Sequence, residues 1–383
     1  MVKKSNRPAP ALLALCWAAA WGGAGLARQP GDTPAAPAVS AHPVNPLSPK
    51  PDWEALREFD GAITRDQFER EIRDVYLERD RFPVPWIAGT DSVKIETGEP
   101  DQPQVEVRFA PRGAPPATPP RFWKTAAELP PLKGRPVLSD LHIAIDPGHI
   151  GGAYAMMEER HLSFKPGEAI QEGDLSLLTA LVLEKRLKAL GATVTLVRRD
   201  SNPVTSSRPE DFRTMAVELL KAGGHGNPRE SYEGVFGQAR LLTVQWQSEK
   251  LFYRVGEIQA RASRVNQEIK PDLVLALHYN AEAWGSATSP QFSPANHFHL
   301  LINGCYSPGE LLYQDTRWEL LARVFSGIHA EELALADAVA PAVARATGLP
   351  PYTYETPNAR PMGASGFVWA RNLLANRIYR CPV

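Results

Sequence analysis

Of the chain's 36 prolines, 21 fall before residue 140. Proline fixes φ and removes a backbone donor, so a stretch this rich in it must contain long non-helical connections. Its distribution divides the chain. Residues 28–51 read as a Pro/Ala-rich linker, and 111–138 as a second Pro-rich linker. Between them, residues 52–110 read as a small α+β module. Trp53, Leu56, Phe59, Ile63, Phe68, Ile72 and Tyr76 recur near helical spacing, and Thr64 to Gln67 supplies a helix cap. Val93-Lys-Ile95 and Val105-Glu-Val107 alternate as strands do. Residues 139–383 then hold the main domain. The flanking prolines predict that the module folds separately and positions the larger unit by tethering.

The amino terminus has a basic start with Lys3, Lys4 and Arg7, a mostly apolar run from Ala9 to Ala27, and a polar continuation. These three regions predict a signal peptide over residues 1–27 and export to the periplasm or the extracellular space. Its removal would leave a mildly acidic chain. Lys+Arg 42 nearly balances Asp+Glu 43, which excludes a polybasic nucleic-acid binder. Cys16 lies in the apolar run, so only Cys305 and Cys381 would remain, and in an oxidising compartment they can pair. The alternative is two buried thiols. With no CxxC pattern, any metal has to be held by histidine and carboxylate.

From Leu141 the pattern becomes strand, loop, helix, strand. Leu141 to Ile145 is a short apolar run ending in Asp146-Pro-Gly-His149, Leu175 to Leu190 is a helix closed by Gly191, and Thr193 to Val197 is the next strand. A helix is expected from Val244 to Ile269, and Leu273 to Leu277 forms a strand ending at His278. A further strand at Phe298 to Ile302 and a helix from Ile328 to Ala346 follow. This alternation predicts an α/β fold with a mostly parallel twisted sheet and helices on both faces.

Ligands of open α/β sheets bind beyond the carboxyl ends of strands, where His149 and His278 both lie. Glu172 opens the helix after the first loop and can face the same cleft. Two imidazoles and a carboxylate, with the fourth position left to water, form a catalytic zinc set. His297-Phe-His299 is a rival ligand pair, because alternate residues of a strand share a face.

Ile143 to His149, Glu172-Gly-Asp-Leu175, Gly191 to Arg198, Arg261 to Asn266 and Leu275 to Asn280 resemble, in that order, successive motifs of the zinc-dependent N-acetylmuramoyl-L-alanine amidases. The likeness covers residues 141–383 and not the module. It implies zinc on His149, Glu172 and His278, and hydrolysis of the amide joining the muramic acid lactyl group to L-alanine in peptidoglycan. It also implies a catalytic Glu after a last core strand. Here Arg380-Cys-Pro-Val383 ends the sequence, so that Glu is expected beyond Val383 in a longer chain, with Glu282 or Glu355 as substitutes. A non-catalytic wall-binding protein and a zinc carboxypeptidase acting on stem peptides remain alternatives.

Departures from the resembled pattern lie around this set. Residues 149 to 172 form a longer gap than is usual in that family, containing Glu158, Glu159 and Glu168. Gly223 to Arg254 reads as an insertion, either a rim over the cleft or a surface excursion. Arg208 and Arg264 are candidates for binding stem-peptide carboxylates. The module's partner would be the wall or a regulatory protein.

Overall fold

The computed structural model describes residues 43–78, 82–165, 168–280, 285–286 and 289–383. The expected signal peptide, Cys16 and most of the first linker lie outside the described residues, as does Glu282. Among the described residues no helix is long and apolar enough to cross a membrane.

In the module, helix α1 (Arg65–Glu71) starts at a Thr64/Gln67 capping box, as the sequence predicts. Strands β1 (Trp86–Ala88), β2 (Ser92–Glu96) and β3 (Gln104–Arg108) pair as an antiparallel meander. Val93, Ile95, Val105 and Val107 point to one face and are fully buried there. That core is not closed within the module. Leu320, Leu321, Val324 and Phe325 from the helix Gln314–Ser326 complete it, with Phe325 stacked 5.7 Å from Phe68. Arg317 of the same helix is fully buried and donates to the Thr97 carbonyl. The segment therefore shares one core with the later half of the chain.

The main domain is built on three parallel strands in the order β7-β4-β8, where β4 is His142–Pro147, β7 Thr193–Leu196 and β8 Leu273–Leu277. A hairpin of β5 (His161–Lys165) and β6 (Glu168–Gln171) precedes helix α2 (Glu172–Ala189). Alternation along β4 separates the two faces. Ile143 and Ile145 pack with Ala180 and Leu187 of α2, while Ala144 packs with Ala262 and Val265 of a helix running from Val244 to Ile269. Helices cover both faces, as the sequence predicts.

Among the described residues the strands form several small sheets instead of one mostly parallel twisted sheet. Beyond the open edge of β8 the Pro382 carbonyl accepts from the Val274 amide, and a second, mixed sheet pairs Leu300–Ile302 with Val368–Ala370 in parallel and Arg360–Met362 antiparallel. The fold is α/β with small sheets. Sequence periodicity marks strands but not the long-range pairing that merges or separates sheets. Cys305 and Cys381 are both free and buried, the second of the two readings open from the sequence, and not a disulfide. Cys305 packs with Ile302 and Ala336, and Cys381 with Trp123 and Val274, in different parts of the core.

Candidate metal centre

The register of the parallel strands brings the two histidines together. Pro147 of β4 lies opposite Leu277 of β8, and Gly148 continues the pairing by donating to the Leu277 carbonyl. His149 and His278 therefore leave adjacent strands at one level, with ring centroids 5.1 Å apart and ring planes nearly perpendicular. Gly148 is required between them, since a Cβ there would lie 2.6 Å from both nitrogens of the His278 ring. Gly173, on the first turn of α2, makes the second close approach, where any Cβ would overlap the Gly151 backbone. That approach brings Glu172 up to the loop, at a helix start where a carboxylate is favoured.

His149 adopts the left-handed conformation at φ 57°. A non-glycine residue pays ~1–3 kcal/mol for such a backbone and needs surroundings that hold it. Two buried arginines do so. Arg261 donates to Asp146 Oδ1 and to the carbonyls of Pro147 and His149. Arg198 donates to the carbonyls of Pro147, Gly148 and Gly173, tying the loop to α2. Asp146 also accepts from the Tyr379 hydroxyl at 2.6 Å, and Ser176 Oγ donates to Gly148. Every carbonyl from Pro147 to His149 thus has a fixed donor.

His149 Nε2 lies 3.3 Å from Glu172 Oε2, and His278 Nδ1 lies 3.2 Å from Glu172 Oε1. The ligand atoms of all three residues fall within 4.8 Å of one another. Tetrahedral bonds of ~2.0–2.1 Å place neighbouring donor atoms roughly 3.3 Å apart, so the three residues fit a small metal ion. Burial lowers the pKa of His149, helped by the neighbouring His278, against the opposing pull of Glu158 and Glu172, so the imidazole is held in its neutral, ligating form. Burial alone would raise the Glu172 pKa, but the two histidines and the Tyr279 amide hold it below the usual carboxylate range. Arg160 Nε approaches Glu172 Oε2 at 3.5 Å.

Glu158 is the functional residue that sequence reasoning passed over. Its carboxylate is buried, accepts from the amides of Ile150 and Gly151 at 3.0 and 3.1 Å, and lies 3.5 Å from His149 Nδ1. It fixes the ring by the nitrogen opposite the cluster, as carboxylates behind metal-binding histidines do. Its only sequence signal was its place in the long gap. The other acids there do different work. Glu159 pairs with Arg240, and Glu168 sits exposed on β6. Through Arg240 the inserted stretch reaches the turn that carries Glu158 and Arg160, so it borders the site.

The remaining candidates are not brought to the cluster. Glu355 is exposed, and no contact among the described residues joins it to the three ligands. His297 and His299 stack on each other with centroids 6.0 Å apart, and Tyr352 packs tilted against both, 4.4 and 5.2 Å away, so the pair is engaged with aromatic rings and is not part of the cluster. Arg208 donates to the carbonyls of Thr205, Ser206 and Ser207, and Arg264 to Val197, so both are engaged in local structure. Compared with family models, curated proteins and solved structures, the chain matches none.

Proposed function

We propose that the protein is a zinc-dependent peptidoglycan hydrolase that cleaves the amide between the muramic acid lactyl group and L-alanine, acting outside the cytoplasm. The observation that carries the metal part of this reading is the convergence of His149, Glu172 and His278, with Glu158 behind His149. The choice of substrate rests on the resemblance of the strand-end motifs to the zinc amidases. A zinc ion bound there would polarise the scissile carbonyl and acidify a bound water. The chain's own residues supply the rest. His149, held neutral, and Glu172, held ionised, present donors beside His278 without rearrangement, and Arg198 and Arg261 keep the loop in its strained conformation. Arg160 beside Glu172 offers positive charge to an oxyanion or a substrate carboxylate at the rim.

The test is digestion of purified wall by the zinc-loaded chain, read by mass spectrometry. Free stem peptides with an L-alanine amino end support the amidase reading. Loss of carboxyl-terminal residues from the stems would replace it with a carboxypeptidase, and unchanged fragments with retained wall binding would make the protein a binder.

A further inference from the structure

Beyond His278 the surface continues into a run of rings that the metal cluster does not use. Asn280, two residues on, places Nδ2 3.4 Å from His297 Nε2. Tyr352 packs on both His297 and His299, its ring lies 4.7 Å from Tyr354, and Tyr354 lies 5.2 Å from Trp369. The backbone explains the order. Phe298 bridges Pro351 in parallel and Leu300 pairs with Val368, so residues 297 and 299 share one face with 352 and 354. Phe298 faces the other way and packs in the core with Ile302 and Val368.

This face is not core. His297, His299, Tyr352 and Tyr354 are each half-buried, and their polar atoms edge the rings: Tyr354 Oη meets His299 Nε2 at 3.0 Å, and Trp369 Nε1 donates to the Tyr352 carbonyl. Charge is sparse. Arg371 lies 5.4 Å from the Tyr354 ring, and burial with His297 and Arg371 nearby pushes His299 down to about 4, leaving it neutral. Flat apolar faces with neutral donors and acceptors at their edges suit a ligand that is apolar on its faces and polar around its rim. A pyranose has that form, with C–H bonds on its faces and hydroxyl and acetamido groups around its edge.

We propose that the shelf formed by His297, His299, Tyr352 and Tyr354, backed by the buried Trp369, binds an N-acetylated hexosamine ring of the glycan strand, beside the amide presented to the metal cluster. This rests on the peptidoglycan reading above. It assigns the sugar side of the substrate to the second sheet, and so leaves the peptide side to the Arg160 rim.

Calorimetric titration of the full chain, without added metal, uses N,N′-diacetylchitobiose and its longer oligomers as probes, with cellobiose as the control lacking acetamido groups. Measurable binding of the acetylated oligomers is expected, about tenfold weaker in Tyr352→Leu, which keeps apolar volume but removes the ring face. Ile87→Ser, an exposed change on β1 of the module, should bind as the parent does. Absence of oligomer binding by the folded parent chain, or equal binding by a folded Tyr352→Leu, would overturn the proposal. Cellobiose binding as tightly as chitobiose would overturn its acetamido part. Because the titration needs no hydrolysis, sugar binding without release of stem peptides would refute the amidase reading and leave the shelf intact.

Discussion

Replacing Glu158 by Gln tests whether the centre depends on the carboxylate behind His149. In the parent chain both Glu158 oxygens accept from the Ile150 amide, Oε2 also accepts from Gly151, and Oε1 faces His149 Nδ1. Burial would raise the carboxyl's pKa, yet these hydrogen bonds, led by that from His149, hold it below its ordinary value, so the native group is a carboxylate. Glutamine keeps the volume but has one acceptor oxygen, and its amide end must face a donor. At least one buried N–H then loses its partner, at ~1–3 kcal/mol of stability. His149 loses the charge that orients it, and such outer partners account for roughly 10–100-fold in metal affinity, or about 1.4–2.8 kcal/mol. Zinc competition against a chromophoric chelator reads the affinity, and thermal unfolding reads the stability. A folded Glu158→Gln protein that binds zinc within about twofold of the parent would refute the bracing role, whatever happened to its melting temperature.

Three further outcomes follow from particular contacts. Gly148→Ala should displace the His278 ring and lower zinc affinity at least as much as Glu158→Gln while leaving the far-UV spectrum unchanged, and undiminished binding would contradict the close approach. Phe325→Ala should cost ~3–5 kcal/mol and lower a single unfolding transition, because its ring fills the core shared by the module and the later helix; two separate transitions in denaturant would show instead that the module is independent. His329 is buried against Tyr76, its Nδ1 has no partner, and burial with Arg323 nearby pushes its pKa down to about 4. The unfolded chain, with an ordinary histidine pKa near ~6.5, takes up the proton first, so this contribution is complete above ~6.5 and is lost as the pH falls toward ~4, by up to about 3 kcal/mol. The urea midpoint of the parent should therefore fall relative to that of His329→Leu on acidification across that window, and parallel pH profiles would count against it.

What the sequence determined by itself was local. Apolar runs, caps and glycine stops marked β4, α2, β7, the long helix 244–269 and β8 because each depends on residues a few positions apart. The two histidines and Glu172 were legible for the same reason: each stands at the end of a strand or the start of a helix, and parallel strands deliver such ends to one edge. Tertiary structure decided what depends on distant partners. Glu158 became a brace only when the turn before the β5–β6 hairpin folded its carboxylate under the Ile150 and Gly151 amides, a contact no periodicity encodes. His297 and His299 became part of a ring cluster because Pro351 came alongside Phe298 and brought Tyr352 against both of them. The two cysteines stayed apart because their segments entered different parts of the core. The module joined a shared core because its meander leaves an apolar face that four residues of the helix Gln314–Ser326 cover, more than 200 positions away in the chain. Burial of that face outweighed the separation that the intervening prolines suggested, since apolar surface is covered by whatever packs on it, without regard to distance along the sequence.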